Sequence, residues 1–467
     1  MPKTKILATF ALAACAALAQ DVAAPRLVTL NLTATDSQGH PVTDLTAADI
    51  QITDQGKATP FVAFRNDALR APAAARELSN RPAPAISHVQ VILFDLLNLS
   101  IAARKPAIDQ LVRSLENLEA ADAIYLYLIN VEGELSPVRA LPDAPPNARS
   151  ATPWTRNIRT MLDQAVGPVA VVRPAVARDV MLRIQRSYAA LETLSARLAP
   201  LPGRKNILWI TFGVPCSVPT TNALPWDCRP ILNKLADKLD QANVAVDPIE
   251  MQSASADIES NVTLQQLVDF TGGKLYSGGD IERAVPDAIE SARSAYRVQY
   301  APAGNNWDGK VHKIRATSSR KGVNLQAKQA YTAEKAPPAV NNTALFQSPF
   351  DAADIGLTVT VTPGAQPHTL HLRIGLETQD LLLTPRADRF AGQLASYVVA
   401  YLPENRLQEY PVLPINLNLT AEQREKMSRD GIHLGQDVTI AENVHKLRLL
   451  MVDHVANTVG SVTIPVE

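Results

Sequence analysis

Residues 88–100 read HVQVILFDLLNLS. Val89, Val91, Ile92, Leu93 and Phe94 make a nearly unbroken apolar run. Such a run suits a strand buried on both faces of a parallel sheet better than an alternating, half-exposed strand. Asp95 closes the run, and a polar loop and a helical pattern follow. Open α/β sheets take their ligands at the carboxyl ends of their strands, so Asp95 stands where function is expected. The stretch itself names no substrate.

On its carboxyl side the pattern alternates. Ile108, Leu111, Val112, Leu115 and Leu118 recur at helical spacing, residues 123–130 (AIYLYLIN) read as a strand, and Thr152-Pro153 reads as a helix cap. Met181, Ile184, Tyr188, Leu191, Leu194, Leu198 and Leu201 form a second helical stripe that Pro202-Gly203 stops. Strands are expected at 206–211 (NILWIT) and 244–249, and helices at 231–239, 264–270 and 281–294. This repeated βα order predicts an α/β fold class: a doubly wound, mainly parallel, Rossmann-like sheet over residues 86–294 with helices on both faces.

The flanks read as β. Residues 27–66 hold LVTLNLTATD and DIQITDQGKATPFVAF around turns at Ser37-Gln38-Gly39 and Asp54-Gln55-Gly56, and alternating strands return within 295–333. Each set is too small to bury a core alone. Together they are expected to form one composite sandwich with the α/β unit inserted through a double hinge. Residues 66–85 and 335–342 read as linkers, and residues 343–467 as a C-terminal β-sandwich.

With 45 basic and 46 acidic residues the net charge is -1, which supplies no field for nucleic acid. Lys3 and Lys5 precede an apolar segment that ends in Ala17-Leu18-Ala19, the pattern of a signal peptide over residues 1–19. Leu12-Ala13-Ala14-Cys15 offers a second reading, a lipid anchor at Cys15. No later run reaches the ~20 apolar residues of a membrane span. The expected location is therefore exported: periplasmic, cell-surface or extracellular. In an oxidising compartment Cys216 and Cys228 are expected to pair as a disulfide.

Several segments in this order resemble the bacterial von Willebrand factor A-related family: TATDSQGHPVTDLTAADIQITDQGKATPFVAF, VILFDLLNLS, GRKNILWITFG, ANVAVDPIE, LVDFTGG and AYRVQYAP with DGKVHKIRATSSRKGVNLQAKQAYTA. The resemblance implies a VWA-type domain and a metal-ion-dependent adhesion site, D-x-S-x-S after the first strand with a Thr and an Asp from other loops. Asp95 matches, but Leu97 and Leu99 stand at both serine positions and Phe212 stands where the second Asp belongs. A hard cation needs oxygen ligands. Only Asp95, Asn98, Ser100 and Thr211 remain to supply them, so the site is read as degenerate and no cofactor or divalent cation is expected.

No H-E-x-x-H, G-x-S-x-G or phosphate-cradling G-x-x-x-x-G-K motif is present, and the chain is read as a non-enzyme. The leading expectation is a protein-binding protein of adhesion or envelope assembly. Its ligand-binding residues would be Asp95, Asn98, Ser100, Thr211 and Phe212, with Leu96, Leu97 and Leu99 adding apolar surface. A structural scaffold with no ligand at that face is the competing reading, and a hydrolase with an unrecognised site the third. Asp95, Asn98 and Ser100 also have a plainer reading, as caps of the following helix.

Overall fold

A computed structural model describes residues 26–66, 77–81, 89–116, 124–141, 158–166, 177–201, 204–213, 215–219, 224–251, 258–293, 295–302, 304, 306–335, 342–348 and 350–466. The expected signal segment, Cys15 and the Thr152-Pro153 cap lie outside them. The chain opens with β1 (Val28–Thr35), β2 (Ile50–Asp54), β3 (Lys57–Ala58) and β4 (Phe61–Asn66). The stretch read as a linker then contributes β5 (Leu78–Ser79).

Next come β6 (Val89–Asp95), α1 (Ile101–Glu116), β7 (Ile124–Ile129), β8 (Leu135–Arg139), α2 (Ile158–Val166) and α3 (Ala177–Leu198). They are followed by β9 (Lys205–Thr211), β10 (Ser217–Val218), β11 (Trp226–Asp227), α4 (Arg229–Gln241), β12 (Val244–Glu250), α5 (Ile258–Thr271) and α6 (Ile281–Arg293). Five of these strands form one sheet in the order β12-β9-β6-β7-β8, parallel except for the edge strand β8. The pleat of β6 sends alternate side chains to opposite faces. Val89, Val91 and Leu93 join one core with Ile184, Tyr188, Leu191 and Leu194 of α3, while Ile92 and Phe94 join the other with Ile108, Leu111 and Leu115 of α1.

The chain then returns to β structure in β13 (Ala295–Tyr300), β14 (Val311–Ser318), β15 (Asn324–Gln326) and β16 (Ala330–Thr332). β13 lies between β1 and β4, β15 pairs with β1, and β14 pairs with β2. Leu30, Leu32, Ile52, Tyr296, Val298 and Ile314 share one core across these strands. Between β15 and β16 the chain turns aside, and Gln329 N–H reaches the Asp269 carbonyl (2.7 Å).

The last part holds α7 (Asn342–Gln347), β17 (Leu357–Pro363), β18 (Thr369–Leu376), β19 (Thr384–Arg386), β20 (Arg389–Tyr401), β21 (Leu407–Glu409), β22 (Leu413–Thr420), α8 (Ala421–Asp430), β23 (Ile432–Thr439), β24 (Lys446–Asp453) and β25 (Thr458–Pro465). One sheet runs β23-β18-β17-β5; the other runs β19-β20-β24-β25, with β21 and β22 added along β20. Val359, Leu372, Ile374, Val398, Leu449 and Val462 fill the space between them.

The fold class expected from residues 86–294 is corrected for the chain as a whole. Strands hold more residues than helices, and five of the six sheets among the described residues contain only antiparallel pairs, so the protein is β-rich and sandwich-like and not a doubly wound α/β protein. The physical reason is one of signal strength. Long apolar stripes on helices and doubly buried strands stand out in a sequence, whereas short hairpin strands with one wet face do not, and here the latter outnumber the former.

The two crossings between the α/β unit and the flanking strands, expected as a double hinge, lie at one edge of the parallel sheet. Only residue 294 separates α6 from β13. The amino edge of the parallel sheet is bonded to the β strands beside it: Asn31 Nδ2 donates to Asn243 Oδ1 (2.9 Å), Thr332 Oγ1 to Asp237 (2.8 Å), and Lys328 pairs with Asp240 (2.7 Å). Chain enters the sheet through β6 and leaves it through α6 at this same edge.

Candidate functional site

Asp95 ends β6 fully buried. Its carboxylate is enclosed by donors from its own surroundings. Asn98 gives its backbone N–H to Oδ1 (3.1 Å) and its side-chain Nδ2 to Oδ2 (2.7 Å), and Oδ2 also accepts from Thr211 Oγ1 (2.8 Å) and Trp209 Nε1 (3.2 Å). Asn98 Nδ2 donates further to Ser187 Oγ on α3 (2.7 Å), and Thr211 Oγ1 accepts the Gly213 N–H (3.0 Å). Burial pushes the Asp95 pKa up from its ordinary value, and these hydrogen bonds oppose the shift. Buried Arg104 donates to the Leu96 carbonyl (2.8 Å) and is the nearby positive charge, its own pKa lowered by burial and drawn back by Asp95.

Asp95, Asn98 and Thr211 therefore meet, and Ser100 and Phe212 do not join them. Ser100 is exposed and its Oγ accepts the Ala103 N–H (3.3 Å) at the start of α1, the plainer capping role. Phe212 is half-buried against the core on the α1 side. Leu96 and Leu99 are buried in that same core and Leu97 packs on the opposite one, so the apolar surface expected from these leucines is corrected. Both Asp95 oxygens are engaged by donors, and a cation or ligand group would have to displace them. Among the described residues no group of three or more His, Cys, Asp or Glu side chains stands together in a metal-binding arrangement.

Exposed apolar surface at this edge comes from residues the sequence reading passed over. Ile101 opens α1, Leu182 lies in the second turn of α3, and Ile231 and Val262 lie near the starts of α4 and α5. Leu224, 89% exposed, projects from the loop between β10 and β11. Periodicity hid the four helical residues because each stands off the buried stripe of its helix, and Leu224 because a loop has no period. The loop that carries Leu224 is closed at its base by the Cys216–Cys228 disulfide, with Cα atoms 4.9 Å apart, and by the Cys228 N–H bond to the Cys216 carbonyl (2.9 Å). Both cysteines and Val218 are buried in the α3-side core.

Two other polar clusters were missed. At the amino edge a cavity of about 210 Å³ is lined by Thr33, Arg204, Asn206, Asp247, Lys274 and Tyr276 among others. Arg204 holds the Gly272 carbonyl (2.9 Å) at the end of α5, and Asn206 donates to Asp247 (2.7 Å), whose pKa burial raises. In the flanking strands His312 lies between Asp308 (3.2 Å) and Asp54 (3.4 Å), with Tyr331 donating to Asp54 (2.9 Å). No serine, threonine or cysteine is bonded to His312 among the described residues, so this cluster lacks the pairing of base and nucleophile.

No protein-family model matches the chain, and no curated protein matches it. Among solved structures it aligns with the pilus adhesin SpaC from Lactobacillus rhamnosus GG at 9% identity and a TM-score of 0.29, over 81% of this chain and 53% of that one. The chain thus spans about half the length of that adhesin. At this TM-score and identity the likeness establishes neither a shared fold nor a shared role. No helix among the described residues is long and apolar enough to cross a membrane.

Proposed function

We propose that this is an exported, non-enzymatic protein of adhesion or envelope assembly, related to the von Willebrand factor A-related family its sequence resembles. In this reading residues 86–294 form the binding unit, held between residues 27–66 and 295–333, with residues 343–467 as a further domain. A protein partner docks at the carboxyl edge of the parallel sheet without a divalent cation. One observation carries the reading. Of nine exposed large hydrophobic residues among the described ones, five (Ile101, Leu182, Leu224, Ile231 and Val262) belong to helix starts or the stapled loop at that one edge. Exposed apolar side chains at the helix starts of one sheet edge are the kind of group that protein interfaces use. Asp95, Asn98 and Thr211 serve beneath that surface by fixing the loop after β6 to β9 and α3. The disulfide supports export.

The test is retention of the exported chain by intact envelopes of its own cells, compared with a Leu224→Asp/Val262→Asp variant. About a tenfold loss of retention, equivalent to ~1.4 kcal/mol, is expected with no change in melting temperature. A chelator should leave retention unchanged. Equal retention of the variant would overturn the location and favour the scaffold reading.

A further inference from the structure

The two outer edges of the C-terminal sandwich's larger sheet are treated differently. At β25 the edge is already occupied by the segment before β17. Ala353 bridges to Gly460, Ser461 N–H donates to the Ala352 carbonyl (2.8 Å), Asp354 N–H donates to the Val459 carbonyl (3.0 Å), and Asp351 accepts from Thr463 N–H (2.9 Å). At β22 the opposite edge is open: this strand pairs with β20 from Leu413 to Thr420, and among the described residues no strand pairs with its far side.

β22 also lacks the usual guards of an edge. Proteins blunt exposed edges with charge, Pro, bulges or shortness, because unpaired N–H and C=O groups accept any extended chain. Elsewhere the long edges obey this rule. β4 carries Arg65, β8 carries Pro137 and Arg139, and β23 carries His433 and Asp437. β22 reads LPINLNLT, eight residues with no charge, preceded by exposed Val412 and opening with exposed Leu413. Its one guard, Pro414, sits near the end.

We propose that β22 pairs antiparallel with β22 of a second copy of this chain, across a two-fold axis at Leu417. The strand is self-complementary about that residue. Asn416 falls opposite the partner's Asn418, Ile415 opposite the partner's Leu419, and Pro414 opposite the partner's Thr420 at the outermost position, where a missing N–H matters least. Two bonds already present indicate which backbone groups face outward. Arg389 Nη1 donates to the Asn418 carbonyl (3.1 Å) and the Thr420 N–H donates to Gln423 Oε1 (2.9 Å), so the even-numbered residues turn away from β20. Asn416 and Asn418 then exchange N–H and C=O with each other across the axis. The Asn418 carbonyl has a second lone pair for the new bond. Their exposed side chains form a polar pair on the wet face, while Ile415, Leu417 and Leu419 continue the apolar face over the core. Because the β25 edge is occupied, the sheet grows on one side only, and the assembly closes as a two-fold dimer instead of running on into a fibre.

The experiment is sedimentation velocity of the full exported chain over a concentration series, with an Asn416→Lys/Asn418→Lys variant beside it. The variant sets lysine against lysine at the axis while touching no buried group. The wild type is expected to pass from one to two chain masses, and the variant to need at least about tenfold more protein to do so, with an unchanged melting temperature. An equal mixture of Asn416→Cys and Asn418→Cys chains should cross-link into a disulfide heterodimer. A wild type that stays monomeric, or a dimer indifferent to the lysine pair, would overturn the proposal.

Discussion

The amino and carboxyl edges of the parallel sheet differ in whether strands from outside the unit bond to them. At the carboxyl edge Asp95 is bonded by Asn98, Trp209 and Thr211, and Asn98 by Ser187, all from the sheet's own strands, loop and helix. At the amino edge Arg204, Asn206 and Asp247 are likewise bonded within the unit, but Asn243, Asp237 and Asp240 take partners from the flanking strands, namely Asn31, Thr332 and Lys328, and beyond those strands lies a junction to the C-terminal sandwich. Arg297 of β13 pairs with Asp354, which precedes β17; Arg65 of β4 donates to the Asp354 carbonyl; and Asp380 accepts from both Arg81 (2.6 Å) and Arg65 (3.4 Å). Lys205, at the start of β9, lies beside this junction and donates to the Leu201 carbonyl (2.8 Å). One edge is closed on itself and turned outward, and the other is the mount. A buried polar residue therefore signals a site only after the origin of its partners is known.

The largest effect is expected at the mount. The Asp380 side chain is fully buried and also accepts the Gly356 N–H (2.8 Å), so Asp380→Ala removes the acceptor shared by Arg65, Arg81 and Gly356, while Arg81 keeps its pair with Glu377. A loss of about 3–5 kcal/mol is expected, read by urea unfolding, with the C-terminal sandwich melting first. A loss no larger than that of an exposed carboxylate would erase the contrast between the edges.

Asp95→Ala should come next, at about 2–3 kcal/mol, since it leaves the Asn98, Thr211 and Trp209 donors without their acceptor. Asp95→Asn retains an acceptor and should cost less. Partner retention should follow stability in both variants. An Asp95→Asn chain that folds with wild-type stability yet loses its partner would make Asp95 a contact residue and return the carboxyl edge to the reading its sequence suggested.

The smallest effect for a single step is a pH slope of at most about 1.4 kcal/mol per pH unit. Burial lowers the Lys205 pKa from 10.5 to about 7. Between those values the unfolded chain holds a proton that the folded chain has released, so raising the pH through this window favours the folded state. Wild-type stability should therefore gain a rising component from about pH 7 to pH 10.5, and Lys205→Met should remove it. Chemical denaturation of both chains across that range checks the sign.

What the sequence disclosed was whatever local periodicity encodes. The run 89–94 and the stripe from Ile184 to Leu198 are buried because their spacing matches a strand and a helix, and Cys216 and Cys228 are bonded because the short chain between them turns back and brings their Cα atoms to 4.9 Å. The fold class was misjudged by weighting those strong signals over many weak hairpins. β5 escaped notice because two residues, paired to β17 far along the chain, have no period at all. The closure of Asp95 was partly hidden, since Trp209 reaches it from β9 and Ser187 holds Asn98 from α3, and only the tertiary fold brings these two there.

The chain enters and leaves the parallel sheet at one edge, and this fixes how a pull would travel. Tension applied between the two ends of the molecule runs through β4, β13 and the Arg81–Asp380 junction, and it passes beside the parallel sheet without crossing it. A partner gripping Leu224 and Val262 would instead pull along the strands, loading their hydrogen bonds together in shear. The surface that would hold a partner is thus mechanically separate from the path that would hold the protein in place.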